Sequence, residues 1–421
     1  MRARAINEEM KVAAAYALAA LTKEDVPDSV LRAYGVDRLK FGDDYIIPKP
    51  LDPRVMLWES PAVAKAAMES GVARVQVDLE DYRKQLAFRQ GMGEQIRFFF
   101  TNKARNLPVK KRIVFAEGEE TKIIRAAAQM VDEGIGIPVL VGRPEVIGAQ
   151  IKNLGVECCV EIVDPAEFER IDAYAQAYYE MRQRRGLTLQ DAYKHVREPN
   201  VFGPMMVRMG DGDAFISGLT YDYPDVIRPA LQIHHTAPGA RRAAGVYIMI
   251  AGGKVYLFTD ATVNIDPTPE NLAEIACLSA NFARELGLEP RVALLSFSNF
   301  GSTPHPLSVK VQKALQIIRE RCPDFPVDGE MQADTAVAAE IVEERYPFSQ
   351  VKDANVLVFP SLEAANIAYK LLARLGNAQA IGPILLGMGA PVHVLQTGAE
   401  VRDIVNIAAV AAIEAAKREK S

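Results

Sequence analysis

The sequence predicts an α/β fold with mainly parallel sheets, preceded by a helical segment. From about residue 107 onward, short β-branched runs alternate with amphipathic helical patterns, which is typical of a parallel sheet covered by helices. The first 75 residues instead show helical patterns on either side of a proline-laced stretch. With 421 residues, of which 49% are hydrophobic and 24% charged, the chain is long enough for two or three globular domains.

Composition excludes several functional classes. A formal net charge of −5 argues against non-specific nucleic-acid binding. No run reaches the roughly 18 apolar residues that a membrane span needs, and the basic start turns acidic with no apolar stretch, unlike a signal peptide. The cysteines form no CxxC pair and are interpreted as buried thiols of a reducing compartment; they are Cys158, Cys159, Cys277 and Cys322. We therefore expect a cytoplasmic protein without nucleic-acid or membrane partners.

Residues 1–75 are predicted to form one unit. INEEMKVAAAYALAAL favours a helix, and SPAVAKAAMESG favours another, with Ser60 as N-cap, Pro61 at the first position and Gly71 beyond the end. The unit has too little apolar mass for its own core, so it is interpreted as the end of a larger domain. Residues 76–106 are charged and predict a linker helix, in which three consecutive phenylalanines pack against a neighbour.

Two strand–helix units carry the α/β prediction from residue 107 onward. In the first, Thr268 is the predicted N-cap of a helix that ends at Gly287, and residues 291–298 read as a buried strand. In the second, the strand ANVLVFP precedes a helix that starts at Ser361 and stops at Gly376. Binding sites in such sheets lie beyond the carboxyl ends of the strands.

Polar residues near these strand ends are the candidates for chemistry. The turn Asn299, Phe300, Gly301, Ser302 and Thr303 either presents backbone N–H groups to phosphate or is an ordinary polar turn. The acidic cluster of DGEMQAD either holds Mg²⁺, performs acid–base work, or consists of polar wall residues. Its members are Asp328, Glu330 and Asp334.

The basic residues leave open alternatives. Arg182 and Arg228 are either anion clamps or solvated surface side chains. If His234 and His235 lie on a strand, they point to opposite faces, so we expect no zinc site. The absence of GxSxG, Walker A, HExxH and GxGxxG motifs removes the common hydrolase, nucleotide and zinc interpretations.

Several stretches together resemble the phosphate acetyl/butyryl transferases. They occur in family order over some three-quarters of the chain: FAEGEETKIIRAA, YYEMRQRRGLTLQDA, DAFISGLTYDYPDVIRPALQIHHTAPG, FTDATVNIDPTPENLAEIA, EPRVALLSFSNFGST, DGEMQADTA and FPSLEAANIAYKLLARLGNAQAIGPILLG. The resemblance implies a dimeric, phosphotransacetylase-like (isocitrate/isopropylmalate dehydrogenase-like) fold of two subdomains, with CoA and acyl phosphate meeting in the cleft. Subdomain 1 would span about 107–247 plus 395–421, and subdomain 2 about 248–394.

Residues 1–75 resemble a different family. The stretches ARAINEEMKVAAA, DYIIPKPLDPR and SPAVAKAAMESGVA are similar to the last segment of a bacterial malic enzyme. The combination is the layout of the large NADP-dependent malic enzymes and implies that this chain is their carboxyl-terminal part. The malate-binding residues, and with them NADP and Mg²⁺ or Mn²⁺, would then lie upstream. We expect no cofactor in this chain itself.

The stretch PVHVLQTGAEVRD departs from the transferase pattern. Active family members carry Ser-Arg after a Leu and an Asp six residues beyond the Arg; by similarity the first two stabilise the transition state and the Asp helps deprotonate the CoA thiol. Here Leu395 matches, Gln396 and Thr397 replace Ser and Arg, and Asp403 remains as the base candidate. Losing one preorganised donor to a developing anion costs about 10² to 10³ in rate, so the resemblance implies binding without efficient turnover.

The resemblance also selects ligand-binding residues. Arg182 and Arg228 match family positions implicated in anion binding, and the remaining expected wall residues for acetyl-CoA or phosphate are Asn299, Ser302, Thr303, Asn366, Tyr369, Lys370, Gln396 and Thr397. We expect an allosteric acetyl-CoA-binding region of a malic enzyme that converts malate to pyruvate and CO₂. The alternatives are an active phosphate acetyltransferase and an oligomerisation platform with an empty cleft.

Overall fold

The computed structural model describes the chain except residues 25, 27–29, 32–33, 37–38, 51, 157–158, 322–323 and 420–421, and the side chains of 84 and 87–90. The chain divides into two compact units, Met1–Phe99 and Phe100–Ser421. Of the four cysteines, Cys158 and Cys322 lie outside the described residues, whereas Cys159 is exposed and Cys277 half-buried as free thiols. Within the part of the chain that the structure describes, every helix is too short or too polar to traverse a bilayer.

The first unit is helical, as predicted. Helix α1 spans Glu8–Leu21 and is capped by Asn7, whose side chain accepts the Met10 N–H at 3.1 Å. Helix α2 spans Arg54–Glu69 and contains Pro61 in its interior, so the prediction that Ser60 caps it is wrong. The helix continues through the proline because Pro61, Ala64 and Ala67 form one buried face, and this packing outweighs the lost backbone hydrogen bond.

The predicted linker helix over 76–106 is two helices instead of one. Helix α3 spans Leu79–Gln90 and helix α4 spans Met92–Arg105. Gly91 interrupts them with a φ of 111°, a conformation that residues with a Cβ rarely adopt. The boundary between the two compact units falls inside α4.

The first sheet of the second unit is entirely parallel. Its five strands lie in the order β11-β4-β1-β2-β3. The strands are β1 Arg112–Phe115, β2 Ile137–Val141, β3 Glu161–Val163, β4 Ala214–Ser217 and β11 Val392–Val394. The accompanying helices are α5 Thr121–Asp132, α6 Pro144–Leu154, α7 Ile171–Arg182, α8 Leu189–His195, α9 Pro199–Arg208, α10 Tyr223–His234 and α16 Val401–Arg418.

The second sheet is mixed, with six strands in the order β10-β5-β6-β9-β7-β8. The strands are β5 Ala244–Ala251, β6 Lys254–Thr259, β7 Val292–Leu295, β8 Val327–Met331, β9 Val356–Val358 and β10 Gln379–Leu386; the helices are α11 Pro269–Glu285, α12 Pro306–Glu320, α13 Ala333–Val337, α14 Ala339–Arg345 and α15 Leu362–Leu375. β10 and β6 run antiparallel to β5. The β5–β6 hairpin turns at Gly252 and Gly253, both with positive φ.

The two sheets define two halves of the second unit. Residues 100–243 and 387–421 form the first half, and residues 244–386 form the second half. The chain passes from one half to the other a few residues before the predicted positions, 247 and 394. The first crossing is earlier because all of β5 pairs in the second sheet. The second is earlier because β11 pairs in the first sheet. The α/β prediction with two subdomains and a helical start is confirmed.

Local predictions within this unit have mixed outcomes. Thr268 caps α11 by accepting the Asn271 N–H at 3.3 Å, and Ser361 caps α15 by accepting the Ala364 N–H at 3.3 Å, as predicted. His234 and His235 do not lie on a strand: His234 ends α10 and His235 follows it with a φ of 57°. Burial lowers the pKa of His234 to about 4, so the side chain is neutral, and its Nε2 lies 3.0 Å from the Pro204 carbonyl oxygen.

Candidate functional site

The loop that follows β11 lies at the carboxyl edge of the first sheet. The Leu395 N–H donates to the Ser217 carbonyl oxygen at 2.7 Å, which extends the pairing of β11 with β4. Leu395 is buried, Gln396 is half-buried, and Thr397 and Gly398 are exposed. The loop therefore starts inside the protein and reaches the surface at Thr397 and Gly398.

Gln396 is held by two tyrosines of the second half. Its Nε2 donates to the hydroxyl of Tyr247 on β5 and, at 2.7 Å, to the hydroxyl of Tyr369 on α15. The two rings are stacked, with centroids 4.2 Å apart and planes 18° from parallel. Both tyrosines are buried, with 1% and 5% of their surface exposed. We term Tyr247 and Tyr369 the tyrosine pair; the Gln396 carboxamide joins it to the first half.

Tyr247 of the tyrosine pair is held in its neutral form. Burial, reinforced by the proximity of Tyr369, raises the pKa of Tyr247 well above its ordinary range. A second contact between the halves has the same character, because the Tyr223 hydroxyl on α10 donates to Thr262 Oγ1 at 2.8 Å and burial raises the pKa of Tyr223. These contacts between the halves are made by uncharged hydrogen-bonding groups.

Two buried carboxylates that the sequence did not single out organise the turns after strands. Glu117 follows β1 and accepts the backbone N–H groups of Gly218, Leu219 and Thr220 at 2.9, 3.2 and 2.6 Å. Asp260 follows β6 and accepts the N–H groups of four residues, Gly245, Thr262, Val263 and Asn264, between 2.8 and 3.1 Å. An acid within two residues of the end of a buried strand is the sequence signal that would have identified both.

The three acids of DGEMQAD each bond to different groups of the protein. Glu330 is buried and accepts the Ser298 hydroxyl at 2.8 Å and the Gly301 N–H at 2.7 Å. Asp328 pairs with Arg319 at 2.9 Å, and Asp334 accepts the Thr335 N–H at 2.9 Å. Among the described residues no group of three His, Cys, Asp or Glu side chains is arranged to hold a metal ion. These contacts favour the last of the three interpretations, in which the acids are polar wall residues.

The phosphate-cradle interpretation of the turn 299–303 is wrong, because its N–H groups are already used. Asn299 N donates to Ser302 Oγ, Phe300 N to the Glu330 carbonyl, Gly301 N to the Glu330 carboxylate, Ser302 N to the Asn299 carbonyl and Thr303 N to Ser298 Oγ, all between 2.7 and 3.1 Å. The Asn299 side chain is tied to Gln332 at 2.8 and 3.0 Å. The Thr303 side chain is exposed, whereas Ser302 Oγ is already engaged by the Asn299 N–H and lies 3.3 Å from Ser298 Oγ.

Five other predicted site residues lie on three helices. Asn366 and Lys370 flank Tyr369 on α15, with the Lys370 Nζ 6.0 Å from the Tyr369 ring centroid. Arg182 ends α7 half-buried, and Arg228 is exposed on α10. These positions place Gln396, Tyr369 and Lys370 together and leave the two arginines on separate elements of the first half.

Asp403 lies in the first turn of α16. Its carboxylate accepts the Glu400 N–H at 3.3 Å as part of a capping box. The predicted base candidate therefore also has a structural role at the start of this helix.

Known proteins share this architecture. Residues 100–412 match the family model of the phosphate acetyl/butaryl transferases. The chain belongs to this family. It resembles the phosphotransacetylase structure from Streptococcus pyogenes with a TM-score of 0.72 and 38% identity, over 77% of this chain and 98% of that one. The phosphate acetyltransferase of Thermoanaerobacterium thermosaccharolyticum is 44% identical over 73% of this chain and 95% of its own length.

The similarity to malic enzymes extends over nearly the whole chain. The NADP-dependent malic enzyme of Escherichia coli K12 is 41% identical over 98% of this chain and 55% of its own length, and that of Rhizobium meliloti is 40% identical over 99% and 55%. The chain thus spans about half the length of these curated relatives. Both resemblances expected from the sequence are confirmed.

Proposed function

We propose that this chain is the acetyl-CoA-binding regulatory region of a cytoplasmic NADP-dependent malic enzyme, with a phosphotransacetylase-like cleft that has lost efficient catalysis. Its similarity to malic enzymes over 98% of its length supports the association with malate oxidation to pyruvate and CO₂. On this proposal NADP and Mg²⁺ or Mn²⁺ serve the malate site of the malic enzyme and not the phosphotransacetylase-like cleft. Acetyl-CoA then acts as an effector and not as a substrate.

The observation that carries the proposal is the environment of Gln396. Both N–H bonds of its amide are used by the tyrosine pair, and its neighbour Thr397 is neutral and exposed. Acetyl transfer from acetyl phosphate adds negative charge beside an anionic phosphate. A neutral amide whose donors are occupied cannot stabilise that charge as a guanidinium does, so transfer should be slow.

Binding of acetyl-CoA depends on contacts other than those of Gln396. A CoA molecule carries a diphosphate, a further phosphate and a long pantetheine arm, so cationic side chains away from Gln396 can supply much of the affinity. Arg228 is exposed on α10, and Lys370 is exposed beside the tyrosine pair. This chemistry supports retention of the carrier in a cleft that does not transform it.

We expect Arg228→Ala to weaken acetyl-CoA binding by about tenfold or more, since a charge-assisted hydrogen bond contributes about 1.5–3 kcal/mol. Isothermal titration calorimetry on the purified chain measures this directly. Arg345→Ala, which removes an exposed arginine at the end of α14, is the matched control and should leave the affinity unchanged. Equal dissociation constants for the Arg228 variant and the unaltered chain would refute the clamp.

Regulation further requires that acetyl-CoA bind two conformations with different affinity. Inhibition is the direction that metabolic logic favours, because pyruvate formed from malate feeds acetyl-CoA production. An active phosphate acetyltransferase is the second candidate, supported by the retention of Asp403 and by the 44% identity to such an enzyme. An oligomerisation platform with an empty cleft is the third, and absence of both binding heat and thermal shift with acetyl-CoA would favour it.

We also propose that the chain forms a homodimer through α15. Ile367, Leu371 and Leu375 recur every four residues on this helix and are 52%, 52% and 80% exposed, which makes an apolar stripe on one helix face. Leu371→Lys should dissociate the dimer in sedimentation velocity, because burying an unpaired ammonium is costly. Leu189→Lys, at an exposed leucine of α8 in the first half, should leave the sedimentation coefficient unchanged.

A further inference from the structure

The contact between Gln396 and the tyrosine pair spans the two halves of the second unit. Gln396 belongs to the loop after β11 in the first sheet, whereas Tyr247 and Tyr369 belong to the buried core of the second half. Sites of parallel sheets lie beyond the carboxyl ends of their strands, and the loop occupies such an end.

The two amide N–H bonds of Gln396 point into the protein. Its amide has two N–H bonds, one for each tyrosine hydroxyl, and among the described residues no donor reaches its Oε1. The two rings hold each other in place by stacking 4.2 Å apart. Because the hydroxyls are buried, losing the amide leaves them without these donors and without ready access to water. The closed arrangement is therefore stabilised over one in which the loop has moved away.

We propose that Gln396, Tyr247 and Tyr369 form a clasp that holds the two halves together in the ligand-free protein and is released when an acyl-CoA thioester binds. The proposal rests on the proposed function, since it concerns regulation at the same cleft. The clasp converts binding into a conformational signal: the ligand and the carboxamide compete for the space beside the tyrosine pair, so occupancy shifts the halves apart. Release of the clasp supplies the two states that regulation requires.

The clasp makes a prediction opposite to that of a simple ligand contact. If binding first requires an open state, the apparent dissociation constant equals the intrinsic one divided by the open fraction. A side chain that merely touches the ligand weakens binding when it is removed. A side chain that holds the site closed strengthens binding when it is removed, because the open fraction rises.

The test is acetyl-CoA calorimetry on Gln396→Met and Tyr369→Phe, which keep the side-chain volume and remove one partner of the clasp. We expect each variant to bind acetyl-CoA about five- to tenfold more tightly than the unaltered chain. The double variant should bind no more tightly than Gln396→Met, which already removes both hydrogen bonds of the clasp. Tyr256→Phe removes a hydroxyl from β6 of the same half and should not change the affinity. Weaker or unchanged binding in both clasp variants would overturn the proposal.

A ligand-free measurement separates the clasp from the proposed function. In thermal unfolding, Gln396→Met and Tyr369→Phe should each lower the midpoint, and the double variant should lower it by less than the two shifts combined. If the unaltered chain binds no acetyl-CoA, the proposed regulatory function fails, and this cycle still decides the clasp: additive shifts refute it and non-additive shifts support it.

Discussion

The unaltered chain is expected to form acetyl-CoA from acetyl phosphate and CoA at least about 10² to 10³ times more slowly than an ordinary enzyme, whose kcat is near 10 s⁻¹. The reason is the loss of the family's cation at position 397: Gln396 directs its amide to the tyrosine pair, and Thr397 carries no charge. In the alternative of an active enzyme, Arg402 beside Asp403 takes the place of that cation. A coupled spectrophotometric assay of acetyl-CoA formation measures the rate. Turnover within about tenfold of ordinary enzymes would support the alternative of an active phosphate acetyltransferase.

A gain of function provides the matched control for this expectation. The double variant Gln396→Ser with Thr397→Arg restores the family pattern and should raise the transfer rate by about tenfold or more, because a preorganised donor contributes roughly that factor or greater. Adding Asp403→Asn to the double variant should remove the gain, because the thiol then lacks its base candidate. A double variant as slow as the unaltered chain would show that the loop substitutions do not explain the slow turnover.

A large loss of stability is expected from Glu117→Ala. Three backbone N–H groups of the turn after β4 lose their carboxylate acceptor, and each unsatisfied buried group costs about 1–3 kcal/mol. We expect the free energy of unfolding to fall by roughly 3–5 kcal/mol in total, which places the substitution in the exceptional range. Urea denaturation followed by circular dichroism measures the change.

The neighbouring acid supplies the control for Glu117. Glu119 pairs with Arg143 at 2.8 Å, with side-chain exposures of 32% and 61%, so it is part of a surface ion pair. Glu119→Ala should cost under about 1 kcal/mol, as exposed pairs do. If the two substitutions lower the unfolding free energy equally, the carboxylate of Glu117 does not organise the turn.

The helix N-caps Thr268 and Ser361 were predictable because capping depends on residues close in sequence. Thr268 and Ser361 were identifiable as caps because the side-chain oxygen bonds an N–H three residues on. Ser60 was misassigned because the buried face of α2, which includes Pro61, forms through tertiary packing that no local signal reveals. The antiparallel β5–β6 hairpin was also missed, although Gly252 and Gly253 between two apolar runs are a turn signal.

The candidate site was predictable in part. Family order identified Gln396 as the departure from the transferase pattern, but its partner Tyr247 lies 149 residues away in sequence and only the fold brings the two together. The turn 299–303 looked like an anion cradle because its composition fits one; the buried Glu330 that takes its Gly301 N–H became visible only in three dimensions. Composition shows which donors exist, whereas the fold decides which of them are already satisfied.

The most direct test of the central claim is a crystal of this chain soaked with acetyl-CoA and inorganic phosphate. We predict electron density for an intact thioester in the cleft near Gln396, with the acetyl group still attached to sulfur, because the site binds the carrier without catalysing transfer. A vacant cleft, or free CoA beside acetyl phosphate, would contradict this account.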